Sequence, residues 1–149
     1  MPGSLFDTNI WIAAVFPTHP FHGVAQTALK NANPENPAFF CRATQQSFLR
    51  LASTPVLHKA YGAEGLTNRD ALLTMQSLRA LPQVGERDEP PGVVAMWHQL
   101  ATRDKASPKL WMDAYLAAFA ICGGLRMVSL DRDFQKFTPQ GLDFRSDPE

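Results

Sequence analysis

One segment, residues 107–134, constrains the fold more than any other part of the chain. It reads SPKLWMDAYLAAFAICGGLRMVSLDRDF. Ser107 is a favoured N-cap residue and Pro108 suits the first helical position, so a helix is predicted to begin here. Gly123 and Gly124 favour its termination. Residues 125–130 then form a short, mostly apolar run that predicts a buried strand ending at an acidic turn.

Asp113 is the acidic residue of this predicted helix. Helical spacing places it on one stripe with apolar residues, and the opposite face is apolar too, including Trp111 and Tyr115. An unpaired carboxylate in such surroundings costs free energy or gains a proton. A favourable interaction with the helix dipole is the simpler interpretation, but that benefit fades beyond the first turn. We therefore expect Asp113 to face a cation.

The length and composition indicate one globular domain over residues 1–149. The chain is 45% hydrophobic and 19% charged, which does not favour disorder. No apolar run reaches the length of a membrane span, and no charged leader precedes the first strand. These features predict a cytoplasmic protein without membrane association.

The formal net charge is zero, which argues against a long non-specific contact with a nucleic-acid backbone. A local basic rim remains compatible with the sequence, because six cations flank the central helix and strand: Arg103, Lys105, Lys109, Arg126, Arg132 and Lys136.

With no secretion signal, the two cysteines, Cys41 and Cys122, are expected to be buried thiols in a strand and a helix. His19 and His22 have a ligand-like spacing, but their position at a loop-to-helix entry argues against a metal site.

Strands alternate with helices along the rest of the chain, which predicts an α/β domain with a mainly parallel, helix-rich architecture. Further strands are predicted at residues 4–6, 38–41, 83–86 and 142–144. Further helices are predicted at residues 10–16, 21–30, 44–52, 68–80 and 90–103. Thr44 and Thr67 are the predicted caps of two helices, residues 58–66 are expected to be irregular, and Thr138-Pro139 is expected to be a turn. The candidate core residues are Trp11, Phe16, Phe48, Leu72, Met75, Leu78 and Trp111.

Three aspartates are expected to lie at the same edge of the predicted sheet. Asp7 follows the first strand and is itself followed by Thr8 and Asn9, and Asp131 follows a late strand. Asp113 lies on the helix leading into that late strand. The carboxyl ends of parallel strands converge in one crevice, although a plain strand-to-helix junction also explains the residues after the first strand.

Carboxylates brought together repel each other and require a cation or bound protons. Mg²⁺ or Mn²⁺ suits such oxygen ligands and can assist in-line displacement at a phosphodiester.

Four motifs occur in a fixed order: LFDTNIWIA at 5–13, TQQSFLRLAS at 44–53, WMDAYLAAFA at 111–120 and VSLDRDF at 128–134. With these motifs the chain resembles PIN-domain proteins, and among them the VapC-like toxins of toxin–antitoxin pairs. The resemblance covers nearly the whole chain. It implies a three-layer α/β/α fold with a central parallel sheet, a metal-dependent endoribonuclease that cuts cellular RNA, a homodimer, and neutralisation by a small antitoxin protein.

The resemblance also implies roles for individual residues. Asp7 and Asp113 would bind the divalent ion, Asp131 would complete the acidic cluster, and Thr8 and Asn9 would shape the first loop. One position departs from the family pattern: Ser47 stands where many PIN nucleases carry a glutamate before Phe-Leu-Arg.

Ser47 could hold a metal-bound water through its hydroxyl, but it adds no charge. An acid from Asp133 or from the Asp88-Glu89 loop could replace the missing one. Arg50 is either close to a substrate phosphate or an ordinary surface charge.

Two alternatives remain open from the sequence. In a phosphohydrolase or phosphotransfer domain Asp7 would be the nucleophile, but Asn9 stands where such phosphatases usually carry a second acid. In a non-catalytic PIN-like module the acidic pocket would be incomplete because of Ser47. Partner binding would then persist without Asp7 and Asp113. The loops give no readable code for an RNA target.

Overall fold

The computed structural model describes residues 3–60 and 66–146 and has a parallel sheet at its centre. The strands, in chain order, are β1 Ser4–Phe6, β2 Ala38–Phe40, β3 Val84–Glu86, β4 Arg126–Ser129 and β5 Asp143–Ser146. They form one five-stranded sheet in the order β3-β2-β1-β4-β5, and every pairing is parallel. The predicted α/β architecture with a central parallel sheet is confirmed, and β5 is an edge strand as expected.

Helices cover both faces of this sheet. They are α1 Thr8–Val15, α2 His22–Asn31, α3 Arg42–Ala52, α4 Pro55–Ala60, α5 Asn68–Arg79, α6 Val93–Ala101 and α7 Leu110–Gly123, and a 3₁₀ helix spans Arg132–Gln140. Phe6 and Val128 face a core shared with α1, α2, α3 and α5. Leu5 and Met127 face the opposite core, shared with α6 and α7. Adjacent strand residues thus point to opposite faces, as strand geometry requires, and produce three layers.

Stacked aromatic rings fill the first core. The rings of Trp11 and Phe40 are parallel, with centroids 3.9 Å apart, and Phe48 packs edge-on against Phe40. Trp11, Phe16 and Phe48 are buried, which confirms them as core residues. Two core predictions are wrong: the side chain of Leu72 is 42% exposed and that of Trp111 is 49% exposed.

Four predicted helix starts differ from the structure: α1 begins at Thr8 rather than residue 10, α6 begins at Val93 rather than about residue 90, and the starts of α3 and α7 differ as well. The central helix begins at Leu110, and Lys109 rather than Ser107 occupies the N-cap position. Helix α3 begins at Arg42 with Cys41 as its N-cap. Cys41 is therefore not the last residue of strand β2, as predicted, and Thr44 lies inside the helix rather than at its cap. The predicted end of α7 is confirmed, because Gly124 has φ = +64°, a conformation that favours glycine.

Two segments have more regular structure than predicted. Residues 55–60 form α4, so the expected irregular segment begins later than residue 58, and residues 61–65 lie outside the described residues. The expected turn at Thr138-Pro139 is instead the end of the 3₁₀ helix, which contains Pro139. The capping box of α5 is confirmed, since Thr67 and Asp70 exchange hydrogen bonds.

Neither cysteine forms a disulfide: Cys41 is buried and Cys122 is partly buried, so the predicted thiols are confirmed, although Cys122 is not fully enclosed. Within residues 3–60 and 66–146, no helix has the length and apolar character needed to cross a membrane.

Candidate active site

The candidate site lies at the carboxyl edge of the sheet. Phe6 and Val128 are paired on the adjacent strands β1 and β4, so the residues that follow them emerge side by side. The amide of Asp7 donates a hydrogen bond to the carbonyl of Val128 at 2.9 Å. The start of α7 reaches the same edge, because Lys109 contacts Asp131. This topology brings Asp7, Asp113 and Asp131 into one electrostatically coupled group.

Asp7 is the N-cap of α1, and both of its carboxylate oxygens are held. Oδ1 accepts a hydrogen bond from the amide of Thr8 at 2.7 Å, and Oδ2 accepts one from the hydroxyl of Ser129 at 2.7 Å. Burial raises the pKa of Asp7, the two hydrogen bonds oppose this rise, and the charges of Asp113 and Asp131 add to it. A carboxylate so placed gains stability from a nearby cation.

Ser129 connects the first loop of the chain with the last strand. Its side chain is completely buried, and its hydroxyl oxygen accepts hydrogen bonds from Asn9 Nδ2 at 3.2 Å and from the amide of Asp131 at 3.0 Å. Asn9 Oδ1 in turn accepts a hydrogen bond from the amide of Leu130. Sequence reasoning missed Ser129, although a polar residue at the end of an apolar strand, two positions before Asp131, is a signal that could have identified it.

Asp113 lies in the first turn of α7 because the helix begins later than predicted, so the helix dipole does favour its negative charge. Burial raises the pKa of Asp113, the positive charges of Lys109 and Lys136 lower it, and the charge of Asp131 raises it further. In the described parts of the chain, no side chain or amide donates a hydrogen bond to this carboxylate. It is therefore available to a cation.

Asp131 is more exposed and is already paired. Its Oδ1 accepts a hydrogen bond from the amide of Asp133 at 2.9 Å, and its Oδ2 accepts one from Lys109 Nζ at 3.0 Å. Partial burial alone would raise the pKa of Asp131, but these two hydrogen bonds and the charge of Lys109 bring it below its usual value. Asp131 is therefore ionised at neutral pH.

The donor set fits a divalent ion held by few protein ligands. Among the described residues, no three acidic, histidine or cysteine side chains converge closely enough to hold an ion by themselves. Each oxygen of Asp7 retains a lone pair beyond its hydrogen bond, and Asp113 has both oxygens available. Mg²⁺ is commonly bound by one or two carboxylates, with water and substrate phosphate completing its coordination.

The other residues predicted for the site make fewer contacts with the three aspartates. Thr8 is buried and contributes its backbone amide to Asp7. Ser47 is partly buried on α3, and within the described residues it makes no hydrogen bond to the three aspartates. Of the acids considered as substitutes for glutamate, Glu89 accepts a hydrogen bond from the hydroxyl of Tyr115, whereas Asp133 interacts electrostatically with Asp113.

A family model of the PIN domain matches residues 4–138 of the chain. The chain belongs to the PIN-domain family. This PIN-domain protein is also 40% identical over 134 residues to Ribonuclease VapC41 of two Mycobacterium tuberculosis strains, CDC 1551 / Oshkosh and H37Rv. The alignment covers 89% of this chain and 92% of each relative, and it confirms the resemblance to VapC proteins.

Two solved structures have the same fold as this PIN-domain protein. One is Mycobacterium tuberculosis VapC20, described as a toxin that cleaves the sarcin-ricin loop, with a TM-score of 0.60, 18% identity, and coverage of 94% of this chain and 96% of that one. The other belongs to VapBC2 of Rickettsia felis bound to a DNA fragment from its promoter, with a TM-score of 0.61, 13% identity, and coverage of 96% and 97%. At these identities the likeness establishes the fold.

Proposed function

We propose that this VapC-family protein is an endoribonuclease toxin that hydrolyses RNA phosphodiester bonds with the help of a divalent metal ion. The observation that carries the proposal is the partly buried, doubly held carboxylate of Asp7 beside the unpaired carboxylate of Asp113. Placing two partly desolvated carboxylates close together is unfavourable unless a cation joins them. The name of the 40% identical relative, a ribonuclease, supports RNA as the substrate.

Asp7 and Asp113 would hold Mg²⁺ or Mn²⁺. When bound, such an ion supplies stabilisation for the negative charge that develops on the phosphodiester during in-line displacement. Ser129 and the amide of Thr8 fix the orientation of Asp7, so little reorganisation is needed on binding. Asp131, ionised and nearer to solvent, would orient the attacking water and accept a proton from it.

The proposal extends to location and partners. It places residues 1–149 as a single PIN-like domain in the cytoplasm, where the protein acts as a homodimer and a cognate antitoxin protein silences it. Trp111 and Met112 on the first turn of α7 are each about half exposed, and a protein partner would bury such apolar surface. Size-exclusion chromatography with light scattering, on the protein alone and co-expressed with a candidate antitoxin, tests both assemblies.

The test of the reaction is metal-dependent RNA cleavage by purified protein with Mg²⁺, Mn²⁺ or a chelator. Asp7→Asn and Asp113→Asn should each lower the cleavage rate at least ~100-fold, because each removes a charge that binds the ion. Asp143→Asn is the matched control, since Asp143 pairs with Arg126 at the opposite edge of the sheet and should leave the rate unchanged. Cleavage that persists in chelator or in both site variants would refute the metal site.

The alternatives are less well supported. A nucleophilic Asp7 is disfavoured because both its carboxylate oxygens already accept hydrogen bonds, from the amide of Thr8 and the hydroxyl of Ser129. One observation favours a non-catalytic binding module: position 47 carries a serine and therefore no carboxylate. It predicts partner binding in the Asp7→Asn and Asp113→Asn variants and no cleavage by the unaltered protein at any metal concentration.

A further inference from the structure

Lys109 occupies the exposed mouth of the acidic group. It lies at the N-cap position of α7, one turn before Asp113. Its ammonium nitrogen is 3.0 Å from Asp131 Oδ2 and 3.6 Å from Asp133 Oδ2. The Lys109 side chain is 70% exposed, whereas that of Asp131 is 27% exposed. The charged end of a flexible, solvated side chain therefore lies between two acids at the end of β4.

The same ammonium also acts on Asp113, which belongs with Asp7 and Asp131 to the acidic group. Among the charges that favour ionised Asp113, that of Lys109 is the largest, ahead of Lys136. Lys109 and Asp113 make no direct ion pair, so this is an interaction through space. One lysine thus counterbalances three carboxylates, whereas Lys136 packs over the ring of Phe137 at 5.4 Å.

We propose that Lys109 is a built-in counter-cation that holds the acidic group together without metal and is displaced when a divalent ion binds. The proposal rests on the metal site proposed above. An ammonium and a divalent ion close to the same carboxylates repel each other, so they compete for the same negative charge. The exposed lysine stem lets the ammonium move into solvent or towards an RNA phosphate without disturbing the fold. Lys109 would therefore weaken metal binding and raise the metal concentration that the protein requires.

The experiment measures Mn²⁺ affinity without RNA, by titration followed with electron paramagnetic resonance of free Mn²⁺. Lys109→Met keeps an unbranched side chain that is one atom shorter, and it removes the charge. It should tighten the Kd about five-fold, the scale of losing exposed ion pairs. Lys109→Arg, which keeps the charge and can re-form both ion pairs, should bind Mn²⁺ as the unaltered protein does.

Lys136→Met is the control for a non-specific effect of removing positive charge, because it removes a charge near the same acids without breaking an ion pair. The Kd of this variant for Mn²⁺ should change less than about two-fold. The effect of Lys109→Met should also shrink in 0.5 M salt, where exposed charges are screened. Circular dichroism verifies that all variants are folded.

The outcomes separate this proposal from the proposed function. Equal or weaker Mn²⁺ binding by Lys109→Met, while the unaltered protein binds Mn²⁺, overturns the role of Lys109 and leaves the metal site intact. Equal tightening by Lys109→Met and Lys136→Met also overturns it, since general charge would then explain the change. Absence of Mn²⁺ binding in every variant overturns the metal site together with this proposal.

Discussion

Replacing Ser129 with alanine tests whether the site is organised by one hydroxyl. The Ser129 hydroxyl donates to Asp7 Oδ2 and accepts from Asn9 Nδ2 and the amide of Asp131. Ser129→Ala removes all three hydrogen bonds while conserving the backbone of β4. Because the side chain is completely buried, bulk water does not readily replace the lost partner.

The expected loss of stability follows from the type of each bond. A hydrogen bond to a charged group contributes about 1.5–3 kcal/mol, and a neutral one about 0.5–1.5 kcal/mol. Allowing for relaxation around the partly buried Asn9 and Asp131, we expect the free energy of unfolding to fall by about 3 kcal/mol. For a chain of this size that corresponds to a decrease in Tm of about 6–12 °C.

Urea and thermal unfolding in chelator measure this loss directly. The control is Ser77→Ala, because the Ser77 hydroxyl donates to the carbonyl of Leu73 on the exposed side of α5 and should contribute less than about 0.5 kcal/mol. A loss below about 1 kcal/mol for Ser129→Ala, or one equal to that of Ser77→Ala, would refute the reasoning. Weaker Mn²⁺ binding should accompany the loss, since Asp7 would lose a donor that keeps it ionised.

Two further predictions concern protons and backbone conformation. Burial raises the pKa values of Asp7 and Asp113 above the usual 3.8 in the folded protein, so protons compete with the ion. Mn²⁺ affinity should therefore weaken as the pH is lowered towards these raised pKa values, and stability without metal should fall as the pH rises from 3.8 through them. A flat affinity profile in a titration series would contradict this. Gly124→Ala should lower the free energy of unfolding by about 1 kcal/mol, because φ at this position is +64°. Gly23→Ala, in a helix and with open space around the added methyl group, should raise the free energy of unfolding by about 0.5–1 kcal/mol. Thermal unfolding in which both variants shift Tm in the same direction would contradict this reasoning.

The sheet and most helices could be predicted because their signals are local. Strands β1 and β2 are short apolar runs, as expected for strands buried on both faces. Gly124 ends α7 because its left-handed conformation is strained for other residues. Such patterns depend on neighbouring residues, and the sequence contains them in full.

Helix starts were harder to predict from cap preferences alone, and for α3 the end of the preceding strand sets the start. Thr44 and Ser107 are better caps by propensity, yet Cys41 and Lys109 occupy the N-cap positions. Strand β2 ends at Phe40, so α3 must begin at once, and the Thr44 hydroxyl acts from inside the helix by accepting a hydrogen bond from the amide of Cys41. Tertiary placement here overrides the preference of individual residues.

The proximity of Asp7, Asp113 and Asp131 follows from parallel topology and could be expected from the sequence. The hydrogen-bond partners of Ser129 and Lys109 could not, because each bond joins distant parts of the chain. Ser129 meets Asp7 across 122 positions, and Lys109 meets Asp131 across 22. No local pattern encodes those distances.

The hydrogen bond between Ser129 and Asp7 also has a consequence during protein synthesis. Strand β1 leaves the ribosome before its partner β4, and Ser129 follows Asp7 by 122 residues. A nascent or truncated chain that ends between residues 113 and 129 carries Asp7 and Asp113 without Ser129, the residue that orients Asp7. The proposed RNA-cleaving site is therefore complete only after strand β4 has been synthesised and has paired with β1.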